Sequence, residues 1–243
     1  MHIVKLSATD STNSYLRHLL STEKVDDYTA VITRNQTKGR GQMGTVWDSE
    51  SDKNLTFSVF KDVSCYLLKE PFVISMVVSL AVVKALSTLS IPRLKIKWPN
   101  DILSERKKVC GILIENVIKQ NKIGASIVGI GLNVNQTKFK NLPQATSLKL
   151  ISGQVYNTDE IALSIIQNFK EYFTHLEKGD YKTIKDEYES YLFRKNKPST
   201  FKSAEGVMFS GFIKGVADSG SLQVLLEDNV LKEFNLKEIT LMY

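Results

Sequence analysis

LKIKWPNDILSERKKVCGILIENVIKQNKIGASIVGIGLNVN, residues 94–135, carries the fold in its alternation. LKIKW (94–98) alternates apolar and basic residues as a half-buried strand does, because successive strand side chains point to opposite faces. VCGILIENVIK (109–119) and IGASIVGIGLNV (123–134) are longer strand-like runs, and Gln120 and Asn121 between them suit a hairpin turn. Pro99 cannot continue a hydrogen-bonded ladder, which places Asn100 and Asp101 in the turn at the strand end. Polar groups held there by a rigid sheet are common site positions. Lys108 abuts the apolar run, so it leaves the Arg106–Lys107 tip, joins the sheet and can point into a cleft.

IVKL (3–6), TAVITR (29–34) and LTFSVF (55–60) read as further strands. A helix is predicted over 12–21, with Tyr15, Leu16, Leu19 and Leu20 on one face and Ser11 or Thr12 as N-cap. A long apolar helix is predicted from Pro71, at the first helical position, to about Leu89. Two more cover 158–177, with Ile161, Ile165, Phe169, Tyr172 and Leu176 in one stripe, and 181–192, with Tyr181, Ile184, Tyr188 and Tyr191. Composition shifts at RKNKP (194–198), which reads as a linker. Beyond it lie only short β-like runs, VMFSGFIKGV (207–216), LQVLL (222–226) and LKEFNL (231–236), broken by turn signals. The expected architecture is α+β: a mixed β-sheet with flanking helices over 1–193 and a small C-terminal β-barrel over 194–243.

The chain has 243 residues, 42% hydrophobic and 24% charged, too apolar for a disordered protein and long enough for a core without staples. Cys65 and Cys110 alone imply no disulfide framework, and a reducing cytoplasm is expected. The start lacks the apolar run of a signal peptide. The longest uncharged apolar run, 71–83, falls well short of the roughly 20 residues a membrane span needs. His2, His18 and His175 are dispersed, with no metal spacing and no triad partner, and neither a Walker A lysine nor a GxSxG elbow occurs. A net charge of +6 leaves nucleic acid or an anionic substrate open as partner.

GRGQMG (39–44) matches G-x-G-x-x-G, but a strand-like run follows it rather than the helix a dinucleotide fold requires. It also resembles a kinase glycine loop, yet the chain has no HRD and no DFG to supply the catalytic and metal-binding aspartates. The physical content remains: glycines let backbone N–H groups approach a phosphate, and Arg40 adds a cation. DSTN (10–13) is a helix start whose hydroxyl and amide groups can also hydrogen-bond a polar ligand head.

DSTN, QTKGRGQMGTVW (36–47), KWPNDIL (97–103), KKVCGILIE (107–115) and GIGLNVN (129–135) together resemble bacterial biotin–protein ligases in order and spacing, over essentially the whole chain. The resemblance implies a catalytic domain related to class II aminoacyl-tRNA synthetases and lipoate ligases. It implies ATP and Mg²⁺ as cofactors, biotin as substrate, and a biotin carboxyl carrier protein of acetyl-CoA carboxylase or a related carboxylase as partner. By the same resemblance Ser11, Thr12, Asn13, Gln36, Arg40, Gly41, Gln42, Lys108 and Gly111 bind biotin. Arg40, Gln42, Trp47, Asn100, Lys108 and Asn133 adjoin the nucleotide, and Lys108, Arg40 and Asp101 are catalytic. Some members have Arg where this chain has Gln42, and Met43 also replaces a basic residue, so the loop carries fewer charges.

The catalytic pattern begins near residue 3, so a monofunctional enzyme is expected, with no DNA-binding head, no DNA or membrane partner, and a monomer or homodimer. Residues 93–108 hold six cations against Asp101 and Glu105, which favours ATP and an acidic carrier as the partners of that charge. Two readings compete: a lipoate ligase or lipoyl/octanoyl transferase of the same superfamily, and a non-enzymatic nucleic-acid-binding protein, which the absence of an RRM core motif disfavours.

Overall fold

The computed structural model describes all residues except Leu67, Lys69 and Asn141, with Lys119 by its backbone only. The hairpin read around Gln120 and Asn121 is its longest ladder, joining β6 (Lys107–Lys119) to β7 (Lys122–Leu132). Gln120 and Asn121 both have positive φ, 49° and 60°, as a tight turn matched to strand twist requires. Around it are built β1 (Ile3–Leu6), β2 (Ala30–Thr33), β3 (Leu55–Asp62), β4 (Leu94–Lys97) and β5 (Asp101–Ser104). The seven-stranded sheet runs β1-β2-β3-β7-β6-β5-β4, mixed because β1 and β2 are parallel while the other pairs are antiparallel.

Period-two alternation then divides the sheet into two chemically different faces. Leu55, Phe57 and Val59 of β3, Cys110 and Ile112 of β6, and Val128, Ile130 and Leu132 of β7 face one large core. Against them lies α2 (Phe72–Thr88), apolar almost all round because it is covered on its far side by α4 (Thr158–Glu177) and α5 (Tyr181–Tyr191). Burying each of its Val, Ile and Leu side chains stabilises the fold by roughly 1.5–3 kcal/mol. The opposite face carries α1 (Thr12–Thr22), whose Leu16 packs with Val31, Phe60 and Ile127. Beyond α1 that face is small and polar.

The chain ends in a five-stranded antiparallel sheet ordered β11-β10-β9-β8-β12, from β8 (Pro198–Ser203), β9 (Met208–Val216), β10 (Leu222–Leu226), β11 (Leu231–Phe234) and β12 (Ile239–Met242). Phe201, Phe209 and Phe234 stack across it, and Trp98 Nε1 ties it to the first sheet by donating to Gly220 O at 2.8 Å.

Two local expectations need correction, and one short helix is additional. Asp101 is not in the turn but opens strand β5, paired with Lys97; the turn is confined to 98–100. Pro71 caps α2 rather than occupying its first turn. A five-residue helix, α3 (Leu148–Ser152), follows Ser147, whose side chain accepts from Leu150 N.

Candidate active site

The polar face of the sheet floors a cleft of about 610 Å³. Its floor is Thr56 of β3, Gly111 of β6, and Gly129 and Gly131 of β7. Absence of side chains here is a matter of close approach. A Cβ on Gly131 would lie 2.3 Å from Trp47 Cε2, and one on Gly129 would lie 2.5 Å from Asn13 Oδ1. The residue-39–47 loop folds over this floor through short hydrogen bonds, Gly41 N to Thr45 O (2.7 Å) and Trp47 N to Gly39 O (3.0 Å). It lays the Trp47 ring on the glycines, with Nε1 buried and without a partner among the described residues.

At one end uncharged groups of α1 and Gln36 are tightly bonded to one another and tied to the Arg40–Glu115 ion pair. Thr12 donates from N and Oγ1 to Gln36 Oε1, at 2.9 and 3.2 Å. Ser58 Oγ lies 2.7 Å from Thr12 Oγ1 and donates to Asn13 Oδ1 at 2.6 Å. Asn13 Nδ2 in turn donates to Glu115 Oε2 at 2.8 Å. Ser11, Thr12 and Asn13 are buried, so the start of α1 is fixed into the sheet and presents preset donors and acceptors to the cleft.

At the other end the site is cationic. Lys108 Nζ is 2.6 Å from Asp101 Oδ1. These residues reach each other because β6 carries an extra residue against β5: Ile102 pairs with Cys110, but Leu103 pairs with Lys108. That bulge at Val109 turns Lys108 and Gly111, three apart, onto one face, where uninterrupted alternation would oppose them. A Cβ on Gly111 would come within 3.2 Å of Lys108 Nζ. Asn100 Nδ2 donates to Ile112 O at 2.6 Å and its carbonyl accepts from Ile112 N, clamping the hairpin. Lys97 lines the same end, 4.8 Å from the Tyr243 ring centroid. Burial lowers its pKa, opposed by nearby Asp101 and reinforced by Lys108.

Ser11, Thr12, Asn13, Gln36, Arg40, Gly41, Gln42, Trp47, Asn100, Asp101, Lys108 and Gly111 therefore share one cleft. Asn133 does not. It is buried, its side chain donates to Thr146 O at 3.0 Å, and it fixes the 144–147 segment beside β6 instead. Sequence reading missed Glu115, Ser58 and Lys97, and it missed that residues 236–237 and 239–241 of the C-terminal segment wall the cleft. Period-two alternation in LTFSVF and GILIE carried a signal for Ser58 and Glu115, since both fall on the polar face with Thr56 and Gly111.

The cleft thus gathers preset uncharged donors and acceptors at one end and a lysine on a rigid strand at the other, an arrangement suited to a small molecule with a polar head and an anionic group. The chain is a member of the biotin/lipoate A/B protein ligase family, whose sequence model matches residues 6–133. It is 31% identical to the bifunctional ligase/repressor BirA of Bacillus subtilis over 92% of this chain and 68% of that protein. It is 28% identical to the biotin–[acetyl-CoA-carboxylase] ligase of Paracoccus denitrificans, over 89% of this chain and 91% of that one. The structure of the Aquifex aeolicus biotin protein ligase in complex with biotin and ATP superposes with a TM-score of 0.83 at 28% identity, covering 99% of this chain and 98% of that one.

Proposed function

We propose that this protein is an ATP-dependent ligase that activates biotin and transfers it to a lysine of a biotin carboxyl carrier protein. In the first step the biotin carboxylate attacks the α-phosphorus of ATP, forming biotinyl-5′-AMP and releasing pyrophosphate. In the second a neutral lysine amine of the acceptor attacks the acyl carbon, forming the amide and releasing AMP.

The observation that carries this reading is one cleft with preset uncharged donors and acceptors on α1 and Gln36 and the Lys108 cation at its other end. A ureido ring is uncharged and needs neutral donors and acceptors, which Thr12, Asn13 and Gln36 offer already oriented. Joining a carboxylate to a triphosphate brings anions together, and Lys108, Arg40 and the loop amides offset that charge. Much of the rate comes from holding the carboxylate in line with phosphorus. The 39–47 loop and Trp47 cover the floor and keep water from the mixed anhydride. Asp101 orients the acceptor amine and takes part in its deprotonation once Lys108 has turned to the phosphate.

Asp101 is the only acidic residue lining the cleft among the described residues, and none of them form a group of three or more metal-ligating side chains. A Mg²⁺ would therefore be held chiefly by the triphosphate and water, both of which Mg²⁺ commonly keeps as ligands. The ion supplies charge neutralisation to the phosphates when bound.

In this reading residues 1–193 form the catalytic domain and 194–243 a small β domain that completes the cleft wall. No helix among the described residues is long and apolar enough to cross a membrane, and a cytoplasmic site of action without DNA is proposed. The test is exchange of radiolabelled pyrophosphate into ATP: it requires biotin and is abolished by Lys108→Gln if the reading is right. Exchange without biotin, or unaffected by that substitution, overturns it.

A further inference from the structure

Arg40 does not point freely at the cleft. Its guanidinium is held in a two-pronged grip by Glu115, with Nη1 3.2 Å from Oε1 and Nη2 3.1 Å from Oε2. The same carboxylate accepts from Asn13 Nδ2 at 2.8 Å and lies 3.5 Å from Arg17. Glu115 sits on β6, on the strand and face that carry Gly111. It joins the two parts of the site: the buried Asn13–Ser58–Thr12–Gln36 network, and the loop cation on the same 36–47 segment as Gln36.

A fork-to-fork pairing of guanidinium with carboxylate is the geometry by which Arg binds any carboxylate or phosphate. Glu115 thus occupies the place at Arg40 that a ligand's anionic group would take. Its side chain is one-fifth exposed and that of Arg40 a little under half, so the grip is firm enough to park the arginine and open enough to be exchanged. Arg17 and Asn13 remain to satisfy Glu115 once Arg40 has left.

We propose that Glu115 is a positioning residue that holds Arg40 by the fork a ligand carboxylate would use and surrenders it to that carboxylate, so that filling the cleft exchanges one carboxylate partner of Arg40 for another. This rests on the biotin ligase reading for the identity of the ligand. It makes Glu115 a competitor of the ligand anion, and it gives Glu115→Gln a direction opposite to ordinary damage. Gln still accepts from Asn13 but grips Arg40 weakly.

The experiment measures dissociation constants of biotin and of biotinol, its uncharged alcohol, for the full chain by calorimetry. Glu115→Gln is expected to bind biotin about three- to tenfold tighter and biotinol within twofold of the parent. In an Arg40→Ala background the same substitution is expected to leave biotin affinity within twofold, because the gain passes through Arg40. Glu115→Ala, which also removes the Asn13 acceptor, is expected to weaken both ligands. Equal weakening of biotin and biotinol by Glu115→Gln, unchanged affinity for both, or a gain that survives without Arg40 overturns the proposal. A parent protein that binds neither ligand overturns the biotin reading itself, and the proposal with it.

Discussion

Lys108 Nζ and Asp101 Oδ1, 2.6 Å apart, are brought together by the extra residue in β6 opposite β5. The pair is partly exposed, with side chains 34% and 18% accessible, so it adds little to stability and holds a cation ready where the cleft is polar. Lys108→Gln is expected to lower biotin-dependent pyrophosphate release by about 10²-fold or more while changing folding stability by less than about 1 kcal/mol. Pre-steady-state release assays and thermal melts read both quantities. Asp101→Asn is expected to slow transfer to the acceptor more than adenylate formation, which single-turnover assays of the two steps separate.

The floor glycines give two opposite outcomes for one change. In Gly131→Ala the atoms nearest the new methyl all belong to the Trp47 ring, which sits on a loop and can lift away. Melting temperature should hardly move, while Trp47 fluorescence shifts to the red and catalysis falls. In Gly129→Ala the methyl meets Asn13, pinned by Ser58 and Glu115 and buried. That variant should lose about 1–3 kcal/mol of stability in urea unfolding.

Loosening the loop should release the activated intermediate. Arg40→Gly or Gln42→Gly removes side chains that line the cleft and adds backbone freedom. Labelling of a bystander such as albumin, followed by streptavidin blotting, should rise several-fold over the parent. Unchanged labelling contradicts a retaining role for the loop.

Lys97 gives the fold a pH signature. Burial lowers its pKa, so the folded chain binds fewer protons than the unfolded chain over the interval from the lowered value up to the ordinary lysine value. Stability therefore rises with pH across that interval. Relative to Lys97→Met, the parent should gain stability as pH is raised from neutral toward the alkaline range. A difference in melting temperature that is flat or falls with pH contradicts this.

The β6–β7 hairpin, the start of α1 and the clustering of KWPND with Lys108 were legible in the sequence because each depends on local pattern and turn chemistry. Strand β5 was not: DILS is four residues long and follows a proline, so turn signals outweighed its alternation. The bulge at Val109 leaves no mark in composition, although it alone sets Lys108 beside Gly111. Glu115 closed the KKVCGILIE motif but had no role assigned, because only the fold brings Arg40, 75 positions away, onto it. Asn133 matched a motif but lies beyond the end of β7, where its amide secures a neighbouring segment instead of facing the cleft. The wall contributed by 236–237 and 239–241 is purely tertiary.

The central claim is tested most directly by incubating the protein with Mg-ATP and a biotin carboxyl carrier domain, offering biotin or lipoate in parallel, and reading the acceptor lysine by mass spectrometry. The account predicts biotin on that single lysine, dependent on ATP and lost in Lys108→Gln. Lipoate on the acceptor in place of biotin, or no modification with either acid, contradicts it.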